Sequence, residues 1–379
     1  MRIAYLINGL NGGGAAFPMI QVIGLMRELG HEVRVIAMMP QDGKARHRLA
    51  GAGIPCEVAG RGTSDALPQF LRLMESLRAD RPDLLWTSLT RGTVFGQIAG
   101  RLLGLPVVSW QHSAYLKPGN VALLRCTRRY TSHWIADSES VRAFAERKLN
   151  LDVGDVTVWP PFVADADAPT AVAWNGSGAL CLGSLGRLHH SKQYDVLLRA
   201  LARARDLDPG IAKRFELSIA GDGPELQALT ALAAKLRLSN VRFPGFVEDA
   251  AAFLSGLHGY VQTSFKEGFC IAAHEAMQAG LPVIATRVGE LAYSVCPGET
   301  GWLCEAGDVE ALAKAMLAFA RDPEAAAAMG RRARARVLER YSPSRFRGTG
   351  ERILASIQRS MADTASSRSP AASDSRGVQ

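Results

Sequence analysis

The sequence predicts an α/β protein of two halves, each a doubly wound parallel sheet, facing one another across a cleft. Three observations predict it. Short Val- and Ile-rich runs alternate with helical patterns of about a dozen residues, as stacked βαβ units do. The alternation lapses once, in PPFVADADAPTAVAWNGSG at 160–178, where Pro, Ala, Asp, Gly and Ser crowd together as in a linker, and then starts afresh. The length, 379 residues, suits two domains better than one.

In chain order, Arg2–Ile7 reads as a buried strand running into the glycine loop GLNGGG at 9–14, followed by a helix over 17–29 that Gly30 ends. Strands are expected at 31–37, 84–88, 106–111, 133–137 and 156–159. Helices are expected over about 64–78, 93–103 and 140–149. After the linker come strands at 179–185, 215–220, 241–243, 259–263 and 282–285, with helices at 193–205, 224–236, 249–254, 271–279, 309–319 and 323–341. The expected division is 1–165 for the first domain, 166–178 for the linker and 179–341 for the second. A helix over 345–358 then precedes a polar tail, 361–379, that reads as disordered.

Hydrophobic residues make up 47% and charged residues 21%, which excludes collagen-like, coiled-coil and wholly disordered chains. No apolar run reaches the roughly 18 residues that cross a bilayer, and the apolar stretch after Arg2 is too short for a signal sequence. A cytoplasmic protein is expected. The six cysteines form no C-x-x-C pair, so reduced thiols are expected rather than a zinc site or disulfide framework. The net charge of +8 admits nucleic acid, an anionic membrane face or a phosphorylated substrate as partner.

Two segments point to chemistry. In EGFCIAAHE, Gly268 permits close backbone approach, and the helix beginning at Ile271 aims free N–H groups and its positive end at the loop, which suits a polar or anionic ligand. Glu275 falls among Ile271, Ala272 and Ala279 on an apolar, small-residue surface, where a carboxylate needs a hydrogen-bonding ligand or a salt bridge. In GSLGRLHHSK, Arg187 and Lys192 lie on a strand-to-helix loop where a planar fork and a point charge can clamp a diphosphate. GDGPE at 221–225 reads as a tight turn. His112 follows a strand and would face the cleft. The glycine loop is not a dinucleotide fingerprint, because G-x-G-x-x-G from Gly12 would need Gly where Phe17 stands, and no acid ends the second strand.

Together, NGLNGGGAA, LGSLGRLHHSKQYDVLL, AGDGPEL and KEGFCIAAHEAMQAGLPVIAT resemble the retaining glycosyltransferases of the GT-B fold, family 4, over nearly the whole folded chain. The family's E-x7-E motif is met by Glu267 and Glu275. The resemblance implies that Arg187 and Lys192 bind the donor diphosphate and that Glu275 accepts from the ribose hydroxyls. Glu267, with the amides of Gly268, Phe269 and Cys270, would hold the sugar, and Ile271 would belong to the donor-binding residues. It also implies the base near Gly245, Phe246 and Val247, the phosphates approached by Gly13 and Gly14, and His112 on the transferred sugar. The last helix would cross back to the first domain.

The implied donor is a UDP- or GDP-sugar, with UDP favoured by family frequency alone, no cofactor and no metal. The implied acceptor is a glycan or lipid-linked molecule. Two positions depart from the pattern: Ala16 stands where the family often has an acid, and Cys270 where it often has Gly or Pro. An epimerase or phosphorylase on the same architecture, or a non-catalytic nucleotide-sugar binder, are the alternatives.

Lys117, Arg125, Arg128, Arg129, Arg142, Arg147 and Lys148, interleaved with Leu123, Leu124 and Tyr130, suit either a solvated face or an anionic membrane. The arginine run 331–347 reads as solvated helix surface rather than a nucleic-acid patch.

Overall fold

Among the described residues thirteen strands form two parallel sheets in the computed structural model. It describes residues 1–10, 16–40, 43–60, 62 and 65–368, with the backbone alone of Lys44 and of 364–368. The first sheet contains β1 (Arg2–Gly9), β2 (Glu32–Met39), β3 (Cys56–Val58), β4 (Leu84–Ser88), β5 (Val107–Gln111), β6 (His133–Ala136) and β7 (Val156–Val158), in the order β3-β2-β1-β4-β5-β6-β7. The second contains β8 (Leu180–Leu185), β9 (Phe215–Ala220), β10 (Val241–Gly245), β11 (Gly259–Gln262), β12 (Val283–Thr286) and β13 (Gly301–Cys304), in the order β10-β9-β8-β11-β12-β13. Helices cover both faces, so inner strands are buried on both sides and read as continuous apolar runs; Ala4 to Ile7 are fully buried.

Strand order reverses between β1 and β4 and between β8 and β11. At such a switch point the connections leave in opposite directions and open a crevice beyond the carboxyl ends of the strands. The loops that follow β8 and β11 carry GRLHHSK and EGFC, so topology brings these two segments to one crevice.

The sequence reading missed four α-helices, Lys44–Gly51, Pro118–Thr127, Pro209–Ala212 and Leu291–Ser294, and the strands β3 and β13. Both strands are edge strands of three or four residues, too short for a period to register.

The last helix runs Pro343–Arg368, ten residues beyond the expected end, which corrects the expectation of disorder over 361–368; residues 369–379 lie outside the described residues. Ile353, Leu354 and Ile357 are buried in the first lobe's core and Met361 packs against it, extending the i, i+3/i+4 stripe by another turn. The helix crosses back to the first lobe, as the resemblance implied. Arg347 pairs with Glu28 there, and the Trp159 indole N–H donates to the Phe346 carbonyl at 3.1 Å. Gly350 sits where a Cβ would come within 2.6 Å of Leu25 and 2.7 Å of Trp159.

Gly350→Val should overpack this seam and destabilise the protein by about 1–3 kcal/mol, read as a lower urea midpoint. An unchanged midpoint would show that the crossing helix is not seated on Trp159.

Candidate functional site

Lys192 and Glu267 meet at the floor of the crevice, with Nζ 2.6 Å from Oε1 and side chains only 21% and 11% exposed. Burial pulls the Lys192 pKa down, but the Glu267 carboxylate more than reverses this and holds it above the usual lysine value. The same Oε1 accepts from Ser264 Oγ at 2.6 Å and Gln262 Nε2 at 3.4 Å. Gln262 is fixed in turn, since the Tyr260 hydroxyl donates to its Oε1 at 2.8 Å and its Nε2 donates to Ser264 Oγ at 2.7 Å. Three donors occupy Oε1, leaving Oε2 as the oxygen with capacity for a ligand. The sequence reading missed Gln262 and Ser264; both lie within five residues of Glu267, but only the pleat shows that they turn toward it.

Arg187 stands exposed on the loop after β8 and makes no ion pair with any described residue. The GDGPE turn does more than reverse the chain. Cβ atoms on Gly221 and Gly223 would fall 2.1 Å from the Gly186 carbonyl and 2.2 Å from the Leu188 carbonyl. The turn thus buttresses the Arg187 loop backbone to backbone, and the Leu188 amide donates to the Asp222 carbonyl at 2.8 Å. Gly245, at φ +78, closes against this turn, its carbonyl accepting from the Gly221 amide at 2.7 Å, with Phe246 exposed and Val247 half-buried beyond it.

Past Glu267 the loop is held by close contacts. A Cβ on Gly268 would lie 2.2 Å from the His112 carbonyl of the other lobe, and one on Gly289 would lie 2.7 Å from the Glu267 and Gly268 carbonyls. Phe269 is buried and stacks on His274 at 4.0 Å. Cys270 caps the helix Ile271–Gln278 at φ +67, a left-handed conformation unfavourable for a side chain with Cβ. Its carbonyl accepts from His274 Nδ1 at 2.9 Å. Burial lowers the His274 pKa to about 3, so it stays neutral and its Nε2 accepts from Ser294 Oγ at 2.8 Å. The Cys270 thiol is buried beside Glu267, and burial raises its pKa. The first amides of the helix, from Ile271, have no acceptor within it.

Glu275 is partly buried on that helix, and no hydrogen bond or ion pair from a described residue reaches its carboxylate. Burial raises its pKa, opposed only by the charge of Arg48. The salt-bridge alternative left open by the sequence is therefore not realised among the described residues. Arg48 belongs to the first lobe, where its guanidinium lies 4.0 Å over the Phe17 ring.

His112 follows β5, its side chain 8% exposed, with both ring nitrogens engaged. Asp137 Oδ1 lies 2.9 Å from Nδ1 and Ser88 Oγ 2.9 Å from Nε2, and Ser88 also bonds the Tyr5 hydroxyl at 2.7 Å. Lys266 reaches across to Tyr115, Nζ 3.6 Å from the ring centroid. Gly13 and Gly14 lie outside the described residues.

Two surface expectations change. Leu124 is buried at 1% exposure, and Arg142 pairs with Glu139 and Glu146, so the first-lobe patch reduces to Leu123, Tyr130 and the remaining cations. The arginine run 331–347 is solvated only in part: Arg331, Arg332, Arg345 and Arg347 are exposed, whereas Arg334, Arg336 and Arg340 are half-buried. Arg332, Arg334 and Arg336 donate to backbone carbonyls, and Arg340, Arg345 and Arg347 pair with Glu290, Glu339 and Glu28. All six cysteines are free. Among the described residues no helix is long and apolar enough to cross a membrane.

The architecture is that of the GT-B fold. HepE from Anabaena, solved with UDP-glucose, superposes with a TM-score of 0.82 at 22% identity, over 94% of this chain and 100% of that one. The lipopolysaccharide outer core galactosyltransferase WaaB superposes at 0.74, with 16% identity over 94% and 100% of the two chains. Residues 12–167 match the model of Glycosyltransferase Family 4, and residues 176–336 that of Glycosyl transferases group 1. The chain belongs to the GT-B glycosyltransferases. A D-inositol 3-phosphate glycosyltransferase of Streptomyces avermitilis is 36% identical over 39% of this chain and 34% of its own length. An N-acetyl-alpha-D-glucosaminyl L-malate synthase of Bacillus anthracis is 32% identical over 42% and 44%. The matches thus span less than half the length of these curated relatives.

Glu275→Gln should stabilise the empty protein at pH 7. Its carboxyl pKa is raised on folding, so the wild-type penalty exists only where the group ionises: full above the folded pKa, absent below the unfolded value of about 4.3. Thermal unfolding from pH 7 to pH 4 should show the variant's advantage shrinking. A variant less stable at pH 7 would mean that the carboxylate is satisfied after all.

Proposed function

We propose that this protein transfers a sugar from a nucleoside-diphosphate sugar to an acceptor hydroxyl, retaining anomeric configuration and needing no metal. The Glu275 carboxylate, unpaired among the described residues, carries this reading. It stands on the helix that follows the Glu267 loop, which Lys192 touches, so the crevice offers an acceptor for hydroxyls beside donors for phosphates. A ligand carrying both ribose hydroxyls and a diphosphate satisfies each at once. UDP is the favoured nucleotide, supported by the UDP-glucose in HepE.

Breaking the anomeric C–O bond moves an electron pair onto the departing phosphate. Arg187, Lys192 and the helix tip lower the barrier, because they interact more strongly with that growing charge than with intact donor. Lys192 has three N–H donors and gives one to Glu267, so it can serve the phosphate without abandoning the carboxylate. Glu267 Oε2 then holds a sugar hydroxyl. The acceptor oxygen enters on the face the nucleotide leaves, and its proton passes to the released phosphate. His112, against the Gly268 backbone, bounds the sugar on the opposite lobe.

The acceptor is proposed to be a lipid-linked or surface-polysaccharide glycan, with the protein resting peripherally on the inner face of the membrane. Leu123, 52% exposed, and Lys117, Arg125, Arg128 and Arg129 around it support this.

Arg187→Ala should lower transfer about 10²-fold with folding intact by circular dichroism, since Arg187 makes no ion pair among the described residues. A near-normal rate would remove the clamp. Transfer should also survive excess EDTA; loss that Mg2+ restores would overturn metal independence. Product released from donor without any acceptor would instead indicate an epimerase.

A further inference from the structure

At the amino ends of β11 and β12, the end of the donor lobe away from the crevice, lies a cavity of about 330 Å3. Its walls are the linker residues Thr170 to Trp174, the turn Ala279 to Pro282, Phe319, and the helix Pro323–Arg340. The volume falls at the lower end of the roughly 300–1,000 Å3 of small-molecule pockets. Arg331, Arg334 and His258 line it, and no carboxylate does.

Each of these groups is a donor. Arg331 is exposed and, alone in the 331–347 run, has no partner among the described residues. Arg334 lies one helical turn away and bonds two carbonyls, from Ala166 and Gln278. His258 Nδ1 accepts the Cys181 amide at 2.9 Å, and burial lowers its pKa, so the neutral ring carries its proton on Nε2. The remaining wall is apolar, with Trp174 and Phe319 buried. An unneutralised guanidinium beside a second one and an imidazole N–H matches a phosphate. The apolar wall matches a compact ring attached to it.

We propose that this cavity is a second small-molecule site, binding a phosphorylated metabolite of about monosaccharide size with its phosphate on Arg331, Arg334 and His258. Because the linker forms one wall, an occupant ties the linker to the donor lobe.

Calorimetric titration with glucose 1-phosphate, inorganic phosphate and glucose tests it on the full chain. Saturable one-to-one binding of glucose 1-phosphate is expected, with phosphate weaker and glucose silent. Arg187→Ala should leave this binding within twofold. Arg331→Glu, at an exposed position, should weaken it at least tenfold, and Ala327→Trp should block it by filling the space. Hydrogen exchange over 170–174 should slow on binding. No binding to the wild type, or loss in Arg187→Ala rather than Arg331→Glu, would overturn the proposal, as would phosphate binding as tightly as glucose 1-phosphate. UDP binding, measured alongside, reports on the crevice separately, so failure here leaves the donor reading standing.

Discussion

The contact between Lys192 and Glu267 sets the conditions for everything else in the crevice. Each of the two charges loses several kcal/mol of hydration on burial, and that is offset only because Oε1 collects three donors at once. The floor is therefore electrically closed before any ligand arrives. The charge left uncompensated among the described residues is at the rim, where Arg187 and the helix amides are positive and Glu275 is negative. A simple anion answers only the first and a neutral sugar only the second. The pattern selects a ligand carrying phosphate and vicinal hydroxyls in one molecule.

Holding that floor in place requires backbones closer than side chains permit. Gly221 and Gly223 press the GDGPE turn onto the carbonyls of Gly186 and Leu188, while Gly268 and Gly289 press the Glu267 loop against its neighbours. Cys270 is the exception, taking a left-handed turn with a Cβ in place. His274 offsets that strain by donating to the Cys270 carbonyl from a buried ring kept neutral. The thiol also packs beside Glu267, so the carboxylate and the strained backbone meet at one residue.

Most of this was legible where chemistry repeats locally. The βα alternation located eleven of the thirteen described strands, because inner parallel strands are apolar throughout; the two missed are short edge strands. Arg187, Lys192, Glu267 and Glu275 stood out by spacing and by position after a strand. Partners chosen by tertiary contact were invisible. Nothing in the sequence near His112 announces that Asp137 and Ser88 take both its nitrogens, since they come from neighbouring strands. The arginine run was legible only in part for the same reason: a charge count cannot distinguish a guanidinium in solvent from one bonded to a carbonyl across a turn.

Two aromatic groups connect the places where the chain passes between lobes to the two sides of the crevice. Phe346, at the start of the crossing helix, meets Trp159 at 5.1 Å, Trp159 stacks on Trp110 at 5.2 Å, and Trp110 stacks on His112 at 5.3 Å. On the donor side, Phe162 and Tyr341 enclose Phe269 and His274. Close-packed rings transmit displacement because they have no void to absorb it. His112 is thereby packed as one unit with Trp110, Trp159 and Phe346, and the Phe269 loop as one unit with Phe162 and Tyr341. The close approach of Gly268 to the His112 carbonyl is where the two groups meet.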